Sequence, residues 1–466
     1  MKRRRDRKRP FLSLAAGYRE EDRLPPNAWG LLIKPRRTTV HAGRGIERGE
    51  DFIAEGAWAG PFSAKGALSS PFRCGSGAVI DGKRIVVFGP SHSLDPVYCF
   101  VGRGYLAVSN SIHLAIALSK DAMPRDLGAA RKCAETSMAG FHHYDRILYR
   151  TPTGMMLRLA FGMWTIDPGR LRIAESGPAI GATEDFADFA GYRRLLLKTL
   201  RRIIDNARAP ERRTPYGDLV ATCSSGYDSP ACAALARELG CREALTLRTA
   251  RGGGVDSGKP VAESLGLACH EYERFGAGLE ERNEERRDSF LDARHLLPVH
   301  DEFIGSVNTA EDLWLAAFAP HLPGRILFTG FQGGQVWKKG CPSGPTMKRS
   351  DTSGSGVEQF RKRLGFVHVP VPFIGSTNHV RLAALYSAAE MAPYHVPGAY
   401  DHPVPRRIAE DAGVPRDLFG QRKSAGSVMV VESGARRQAA FEALVESYRA
   451  AIPPRGRKDD AGARQG

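Results

Sequence analysis

The chain has 466 residues, of which 42% are hydrophobic and 25% are charged, and its formal net charge at pH 7 is +16. This length and composition favour two globular domains, and no apolar run approaches the roughly 20 residues that a membrane-spanning helix needs. We therefore expect no membrane partner. The eight cysteines form no CxxC pair, so the sequence predicts reduced thiols and a cytoplasmic protein rather than disulfides or cysteine-bound zinc.

Much of the positive charge lies near the two ends of the chain. Seven of residues 2 to 9 are Lys or Arg, and Arg455, Arg457, Lys458 and Arg464 follow near the other end. We predict a disordered basic arm over 1–20 and a disordered tail over 451–466. The apolar run FLSLAAG after the arm is too short for an export signal. Because no aromatic-interleaved basic motif is present, we expect no nucleic-acid partner.

Residues 21–180 have the pattern of an antiparallel first domain. SGAVIDGKRIVVF at 76–88 reads as two strands joined at Asp81-Gly82, a dipeptide that tight hairpin turns prefer because Gly tolerates positive φ. Strands at 97–101 and 105–108 flank Gly102-Arg103-Gly104 in the same way.

Residues 185–450 have the pattern of a second domain with a parallel sheet. It begins with a long amphipathic helix whose apolar positions are Phe189, Tyr192, Leu196, Leu200, Ile203 and Ile204. A strand at 219–222, a helix at 230–239 and a strand at 244–247 then make a βαβ unit. RILFTGFQGG at 325–334 is a second strand with a glycine-rich end, and ligands of such sheets bind at the carboxyl ends of strands.

The turn CSSGYDSP at 223–230 is the most informative motif. A strand that ends in small residues and turns into a helix presents backbone N–H groups and a helix dipole to an anion such as pyrophosphate. Asp228 beside an anion site indicates an intervening cation such as Mg²⁺. The alternative is a simple capping turn, in which Asp228 or Ser229 caps the helix. The absent Gly-Lys-Ser/Thr ending excludes a Walker loop.

SSGYDS at 224–229 is similar to the SGGxDS loop of the ATP pyrophosphatases, and its surroundings resemble the asparagine synthetases and their β-lactam synthetase relatives. Four further segments resemble this family in the expected order, namely GYLAVSNS at 104–111, DSGKPVAESLGLACH at 256–270, TGFQGGQ at 329–335 and GVPRDLFGQRKSAG at 413–426. The resemblance covers most of the chain. It implies an amidotransferase-like antiparallel α+β domain followed by a PP-loop (adenine nucleotide alpha hydrolase-like) parallel-sheet domain, hence an α/β protein.

Two features depart from the family pattern. The family's glutaminases carry a cysteine directly after the initiator Met, whereas Lys2 stands here and the first cysteine is Cys74. We therefore expect no glutaminase activity. Where the family places acids that include a second magnesium ligand, this chain has Phe331, Gly334 and Gln335. Loss of these carboxylates is expected to weaken Mg²⁺ binding.

The resemblance implies an ATP-dependent ligase that adenylates a carboxylate substrate and transfers the acyl group to an amine substrate. Its cofactors would be ATP and Mg²⁺. The implied ATP-binding residues are Ser224, Ser225, Gly226, Tyr227, Asp228, Ser229, Leu247 and Gly330, with Asp228 also holding the metal. Lys423, helped by Arg422, would neutralise charge that develops during reaction. The alternative for Lys423 is an ordinary solvated lysine.

Other functions stay open at this point. The missing acids favour a catalytically impaired protein with a nucleotide-binding or interaction role. Sulfur transfer would need Cys223 or Cys232, but both positions are typical of packing. Tyr386 and Glu390 are spaced to share a helix face and to assist the amine. The same spacing is also common in ordinary amphipathic helices. We expect His142-His143 to form a surface turn, and the histidines at 368, 395 and 402 have no metal spacing. None of the five receives a role. A homodimer also stays open.

Overall fold

The structure, a computed structural model, describes residues 13–14, 17–119, 122–140, 143–176, 185–251, 254–273, 297–308, 310–338, 352–421 and 433–452. Residues 453–466 of the predicted tail over 451–466 lie outside these ranges, as do most of the predicted arm over 1–20 and Arg422, Lys423 and His142. Both expectations of disorder need correction at their inner ends, because Tyr18–Glu20 forms a strand and Ala451 ends a helix. None of the described helices combines the length and the apolar character that crossing a bilayer requires.

The first half of the chain is built mainly from antiparallel strands. Its elements are β1 (Tyr18–Glu20), β2 (Trp29–Lys34), β3 (Arg37–Ala42), β4 (Glu47–Arg48), β5 (Phe52–Ala54), β6 (Ala57–Trp58), α1 (Ala64–Ser69), β7 (Arg73–Cys74), β8 (Gly77–Asp81), β9 (Arg84–Phe88), β10 (Val97–Gly102), β11 (Tyr105–Ser109), α2 (Ile112–Leu118), α3 (Leu127–Glu135), a 3₁₀ turn (Thr136–Ala139), β12 (Ile147–Thr151), β13 (Gly154–Leu159), β14 (Met163–Asp167) and β15 (Arg172–Ser176).

These strands form two larger sheets that enclose an apolar core. The strand orders are β1-β3-β2-β11-β10-β13-β12 and β15-β14-β9-β8-β5-β4. Trp29 and Val108 of the first sheet and Ile85 and Ile166 of the second belong to one buried cluster. Both predicted hairpins are confirmed, because β8 pairs with β9 and β10 pairs with β11 in antiparallel register.

The second half contains a parallel sheet and most of the helices. Its elements are α4 (Phe189–Ala207), β16 (Leu219–Thr222), α5 (Asp228–Glu238), β17 (Glu243–Leu247), α6 (Lys259–Ser264), β18 (Ala268–Tyr272), α7 (Leu297–Ile304), a 3₁₀ segment (Leu313–His321), β19 (Ile326–Thr329), α8 (Gly333–Val336), a 3₁₀ turn (Ser355–Val357), α9 (Glu358–Leu364), β20 (Val367–Pro370), two 3₁₀ turns (Val371–Phe373 and Ser376–Asn378), α10 (His379–Tyr386), a 3₁₀ segment (Ala389–Tyr394), α11 (Pro403–Asp411), a 3₁₀ turn (Arg416–Leu418) and α12 (Gly434–Ala451).

The parallel sheet has the strand order β18-β17-β16-β19-β20. β16, α5 and β17 make the predicted βαβ unit, since β16 and β17 pair in parallel with Ala221 opposite Ala244. The protein is therefore a mixed α/β structure, with antiparallel sheets and a separate parallel sheet.

The helices α4 and α12 of the second half contact the first half. Asp188 caps α4 by accepting from the Gly191 N–H at 2.7 Å, and Asn206 near its end accepts from the backbone N–H of Trp58 at 3.2 Å. The last helix, α12, packs its Phe441 and Val445 into a cluster with residues of α2 and the first sheet. The last described helix thus covers apolar residues of the first half.

A cluster of buried charges joins the two halves. Arg361 on α9 donates from Nη1 to Glu55 at 2.7 Å and from Nε to Asp95 at 2.6 Å, while Lys362 donates to Asp95 at 2.7 Å. Burial opposes ionisation of Asp95, but the two cations hold the pKa of its carboxyl below the ordinary value. Burial raises the pKa of Glu358, whose Oε2 accepts from the Tyr98 hydroxyl at 2.8 Å.

Removing the central cation is expected to destabilise the whole protein. Arg361→Ala leaves Glu55 and Asp95 buried beside an unfilled space, so we expect a loss of about 3–5 kcal/mol in the free energy of unfolding. Arg170→Ala is the matched control, because the Arg170 side chain is 74% exposed beside Asp167 and such pairs contribute less than about 1 kcal/mol. Urea denaturation followed by circular dichroism measures both. Equal losses would contradict the proposed role of the cluster.

The buried carboxyl of Glu302 on α7 predicts a pH dependence of stability. Burial raises its pKa from 4.5 to about 7, although Arg363 on α9 lies against it. Between these two values the folded protein retains a proton that the unfolded chain has lost, so stability falls as pH rises through this range. The contribution is on the order of 3 kcal/mol. Glu302→Gln, which cannot ionise, should flatten the dependence of urea midpoint on pH between 5 and 8.

The exposed Glu50 provides the control for this measurement. Glu50→Gln should leave the slope of stability against pH nearly unchanged. A Glu302→Gln variant with the wild-type slope would show that Arg363 keeps Glu302 ionised in the folded protein.

Candidate functional site

Two glycine-rich turns meet at the carboxyl edge of the parallel sheet. β16 and β19 are neighbours with Ala221 opposite Phe328, so the turns that follow them lie side by side. A Cβ on Gly330 would lie 2.8 Å from the Asp228 carbonyl carbon, and one on Gly333 would lie 2.2 Å from Asp228 Cγ. Only glycine permits this approach, which brings the second turn against the start of α5.

The turn at 224–229 is held by its own side chains and by Asp256. Ser225 donates its hydroxyl to Asp256 Oδ1 at 2.7 Å and its N–H to the Asp256 carbonyl at 3.1 Å. The Ser224 and Ser229 hydroxyl oxygens are 2.8 Å apart. One of these two hydroxyls donates to the other, which leaves one O–H of the pair for a ligand.

The start of α5 does not have the contact of a capping turn. The residue before the helix is Tyr227, and in the described part of the chain no side chain accepts a capping hydrogen bond there. Ser229 instead bonds Ser224, and Asp228 lies within the first turn of the helix. The first N–H groups of α5 therefore remain available to an anion at this turn.

Asp228 presents an unused acceptor. Its side chain is 26% exposed, and Oδ1 is buried without a hydrogen-bond partner among the described residues. The Nδ1 atom of His402 lies 3.7 Å from this oxygen, beyond hydrogen-bond distance. A carboxylate oxygen without a hydrogen-bond partner, beside a turn whose N–H groups can bind an anion, can serve as one ligand of Mg²⁺, whose other ligands are commonly phosphate oxygens and water.

The position of Gly334 shows what the missing acid changes. A Cβ built on Gly334 would lie 3.9 Å from Asp228 Oδ2. A carboxylate at this position would therefore reach the same cation as Asp228. Because residue 334 is a glycine, only Asp228 of these two positions supplies a carboxylate.

Two predicted ligand-binding side chains are buried. Tyr227 packs against His402, with ring centroids 5.1 Å apart, and its hydroxyl accepts from Arg406. Leu247 ends β17 inside an apolar cluster with Val220 and Phe303. The side chain of Tyr227 thus belongs to the core, and only the backbone of Tyr227 can face a ligand at the turn.

The aromatic residues that support the turn were not predicted from the sequence. The Tyr400 ring lies 4.7 Å from the Tyr227 ring and 5.0 Å from the His402 ring, measured between centroids. Burial raises the pKa of Tyr400, and the carboxylate of Asp228 adds to this shift. The run AYDHP at 399–403 carries no spacing that marks it as part of this site.

The Tyr386 and Glu390 hypothesis needs correction. α10 ends at Tyr386, and Glu390 lies in the following 3₁₀ segment, so the two residues do not share a helix face. The buried Tyr386 hydroxyl donates to the Val336 carbonyl. Glu390 accepts from the Phe189 N–H at 3.0 Å and contacts Arg407 at 2.7 Å. Both have structural contacts.

His368, His395 and the cysteines beside the turn also have structural surroundings. His368 is buried and bonds Thr329 at 2.7 Å, and His395 lies 2.8 Å from Asp401. Burial raises the pKa of Cys223 and Cys232, which keeps both thiols protonated. A sulfur-transfer reaction, which needs a thiolate, has no support from them.

The described chain reaches the candidate site just before Arg422 and Lys423. Gly420 donates its N–H to the Ser225 carbonyl at 2.8 Å. A Cβ on Gly420 would lie 2.2 Å from Tyr227 Cε1. The segment that ends at Gln421 is thus anchored on the turn at 224–229.

No protein-family model matches the chain, and no curated protein is significantly similar to it. The chemical class of the site therefore rests on its geometry. The described residues combine a helix start with free N–H groups, a hydroxyl pair, close-packed glycines and one unpartnered carboxylate oxygen.

Proposed function

We propose that the protein is an ATP-dependent, AMP-forming carbon–nitrogen ligase of the asparagine synthetase-like kind. It would adenylate a substrate carboxylate, release pyrophosphate and transfer the acyl group to an amine. The observation that carries this proposal is the unpartnered Oδ1 of Asp228 at the start of α5, between two glycine-rich turns. An anion-binding turn with a spare carboxylate suits a metal-bound polyphosphate.

The proposal includes a two-domain arrangement, with a degenerate amidotransferase-like domain over 21–180 and an ATP-binding domain over 185–450. The antiparallel sheets of the first half and the parallel sheet of the second half support it. Glutaminase activity is not part of the proposal. Burial raises the pKa of Cys74 and Cys99 in the first half, so neither thiol is prepared to act as a nucleophile.

The residues of the turn have separate roles in this mechanism. The N–H groups at the start of α5, with the Ser224 and Ser229 hydroxyls, hold the departing pyrophosphate. Asp228 would hold Mg²⁺, which neutralises phosphate charge when bound. The Ser225–Asp256 hydrogen bonds fix the backbone of the turn.

Lys423 and Arg422 would neutralise charge that develops on oxygen during acyl transfer. The contact of Gly420 with Ser225 supports this role, because it brings the preceding segment to the turn. Carboxylate and amine substrates would enter from the same edge of the sheet.

A catalytically impaired nucleotide-binding protein is the second candidate. Gly334 favours it, because a carboxylate at this position would lie beside Asp228 and glycine offers none. Phe331 also favours this candidate, because it stands where the family has an acid. Its ring packs against Trp314 and His368, with centroids 6.0 and 5.5 Å away. Turnover with a carboxylate substrate distinguishes this candidate from the ligase.

Magnesium-dependent ATP binding should depend on Asp228 and should improve on addition of a second acid. Asp228→Ala removes the spare carboxylate, so we expect affinity for Mg-ATP to fall about tenfold or more, which corresponds to about 1.4 kcal/mol. Gly334→Asp places a second carboxylate near Asp228 Oδ2 and should tighten binding. Titration calorimetry at fixed nucleotide with varied Mg²⁺ measures both effects.

Asp22→Ala, at an exposed position in the first half, is the control for loss of one acid and should bind as the wild type does. Equal Mg-ATP affinities for wild type and Asp228→Ala would mean that the turn is only a helix start. The ligase proposal would then fail.

Lys423→Ala should separate binding from catalysis. ATP affinity should stay near the wild-type value, because the turn at 224–229 supplies it, while turnover falls by about 10² to 10³. Lys423→Arg should also be slow, because a planar guanidinium does not replace a compact ammonium. The assay is pyrophosphate exchange or AMP release across a panel of amino acids and sugar acids, and the exposed Lys83→Ala is the control.

Two outcomes would contradict this assignment. A wild type that binds ATP but yields no AMP with any panel member would favour the impaired protein. An active Lys423→Ala would show that another residue carries the catalytic charge.

A further inference from the structure

A second group of ligand-type side chains lies around Glu243, apart from the ATP site. Glu243 begins β17, His270 lies in the edge strand β18, and His321 ends the 3₁₀ segment Leu313–His321. One ligand atom from each residue lies within 4.8 Å of the other two. The ATP site follows the carboxyl ends of β16 and β19, whereas this cluster is built on the amino-terminal residue of β17.

We propose that Glu243, His270 and His321 form a binding site for a divalent transition-metal ion such as Zn²⁺, with its fourth position open to water. Two imidazoles and one carboxylate are a common set of protein ligands for Zn²⁺. Mg²⁺ prefers oxygen ligands alone. The site therefore selects a different class of cation from the Asp228 site.

The three side chains lie close together and are reachable from solvent. His270 Nε2 is 3.2 Å and His321 Nδ1 is 3.9 Å from Glu243 Oε2. The exposed fractions are 37% for the His270 side chain, 29% for Glu243 and 19% for His321. Metal–ligand bonds of about 2.0–2.2 Å in a tetrahedral site place ligand atoms roughly 3.4 Å apart. A shift of about 1 Å in the more exposed His270 ring accommodates this geometry.

Neighbouring polar groups orient the ligands. The Tyr272 hydroxyl lies 2.5 Å from His321 Nε2. When Nε2–H donates to this oxygen, the Nδ1 lone pair faces Glu243, as a metal ligand requires. Arg325 donates to Glu243 Oε1 at 2.6 Å and to Oε2 at 3.1 Å, which fixes the carboxylate. Its positive charge also opposes cation binding, so the metal must outweigh that repulsion through three simultaneous ligands.

A bound metal would join the edge strand to the neighbouring 3₁₀ segment. Tyr272 of β18 already packs on Phe318 of that segment, with ring centroids 5.8 Å apart. Because the ion would bind the folded arrangement and not the separated ligands, metal addition should raise the melting temperature.

The test uses the full chain, free of any histidine tag and of added nucleotide, with Zn²⁺ and Co²⁺ as probes. We expect about one Zn²⁺ per chain, a rise in melting temperature and the visible absorption of four-coordinate Co²⁺. His270→Gln and His321→Gln should each weaken Zn²⁺ binding at least about tenfold. Gln at 270 can still donate to Glu243, and circular dichroism checks that each variant folds. His143→Gln, at an exposed histidine outside the cluster, should bind as the wild type does.

Three outcomes overturn the proposal. They are absence of stoichiometric Zn²⁺ binding, unchanged affinity in either folded histidine variant, and sulfur-to-cobalt charge-transfer absorption, which would assign the ion to cysteines. If one variant does not fold, the other decides. Because neither ATP nor turnover enters these measurements, the result is independent of the proposed ligase activity.

Discussion

The pairing of buried charges constrains how the two halves of this protein meet. Glu55 and Asp95 enter the contact from the first half, and Arg361 and Lys362 enter it from α9. An arrangement that separated these groups but kept them buried would leave charges unpaired in a medium of low dielectric constant, which is strongly unfavourable. α9 leads directly into β20, which pairs with β19. The pairing of charge therefore also sets where the edge of the parallel sheet lies.

The sequence was informative wherever neighbouring residues determine structure. Asp81-Gly82 predicted a hairpin because this dipeptide suits a tight turn, and the apolar spacing in 189–204 predicted a helix that the structure confirms. Contacts between distant residues were not predictable in this way. The Arg361–Glu55 pair spans 306 positions, and Tyr400 reaches the site only through tertiary packing. The Tyr386 and Glu390 hypothesis failed because the helix ends between them.

The parallel sheet carries two different sets of potential ligand atoms at two separate places. Near Asp228 the available donors are oxygen atoms and backbone N–H groups, which suit a hard cation and a phosphate. Around Glu243 the imidazoles of His270 and His321 suit a softer ion. β17 connects the two regions, since it begins at Glu243 and ends at Leu247. The strand is short and buried along most of its length, so the two regions are rigidly related.

The packing of α12 on α2 has a consequence for biosynthesis. The residues of α2 leave the ribosome long before Phe441 and Val445 of α12. At roughly 5–20 residues per second this interval is on the order of tens of seconds. During that time the apolar face that α12 later covers has no contact with Phe441 and Val445. A chain whose synthesis stops shortly before α12 would keep this apolar face exposed after its release from the ribosome.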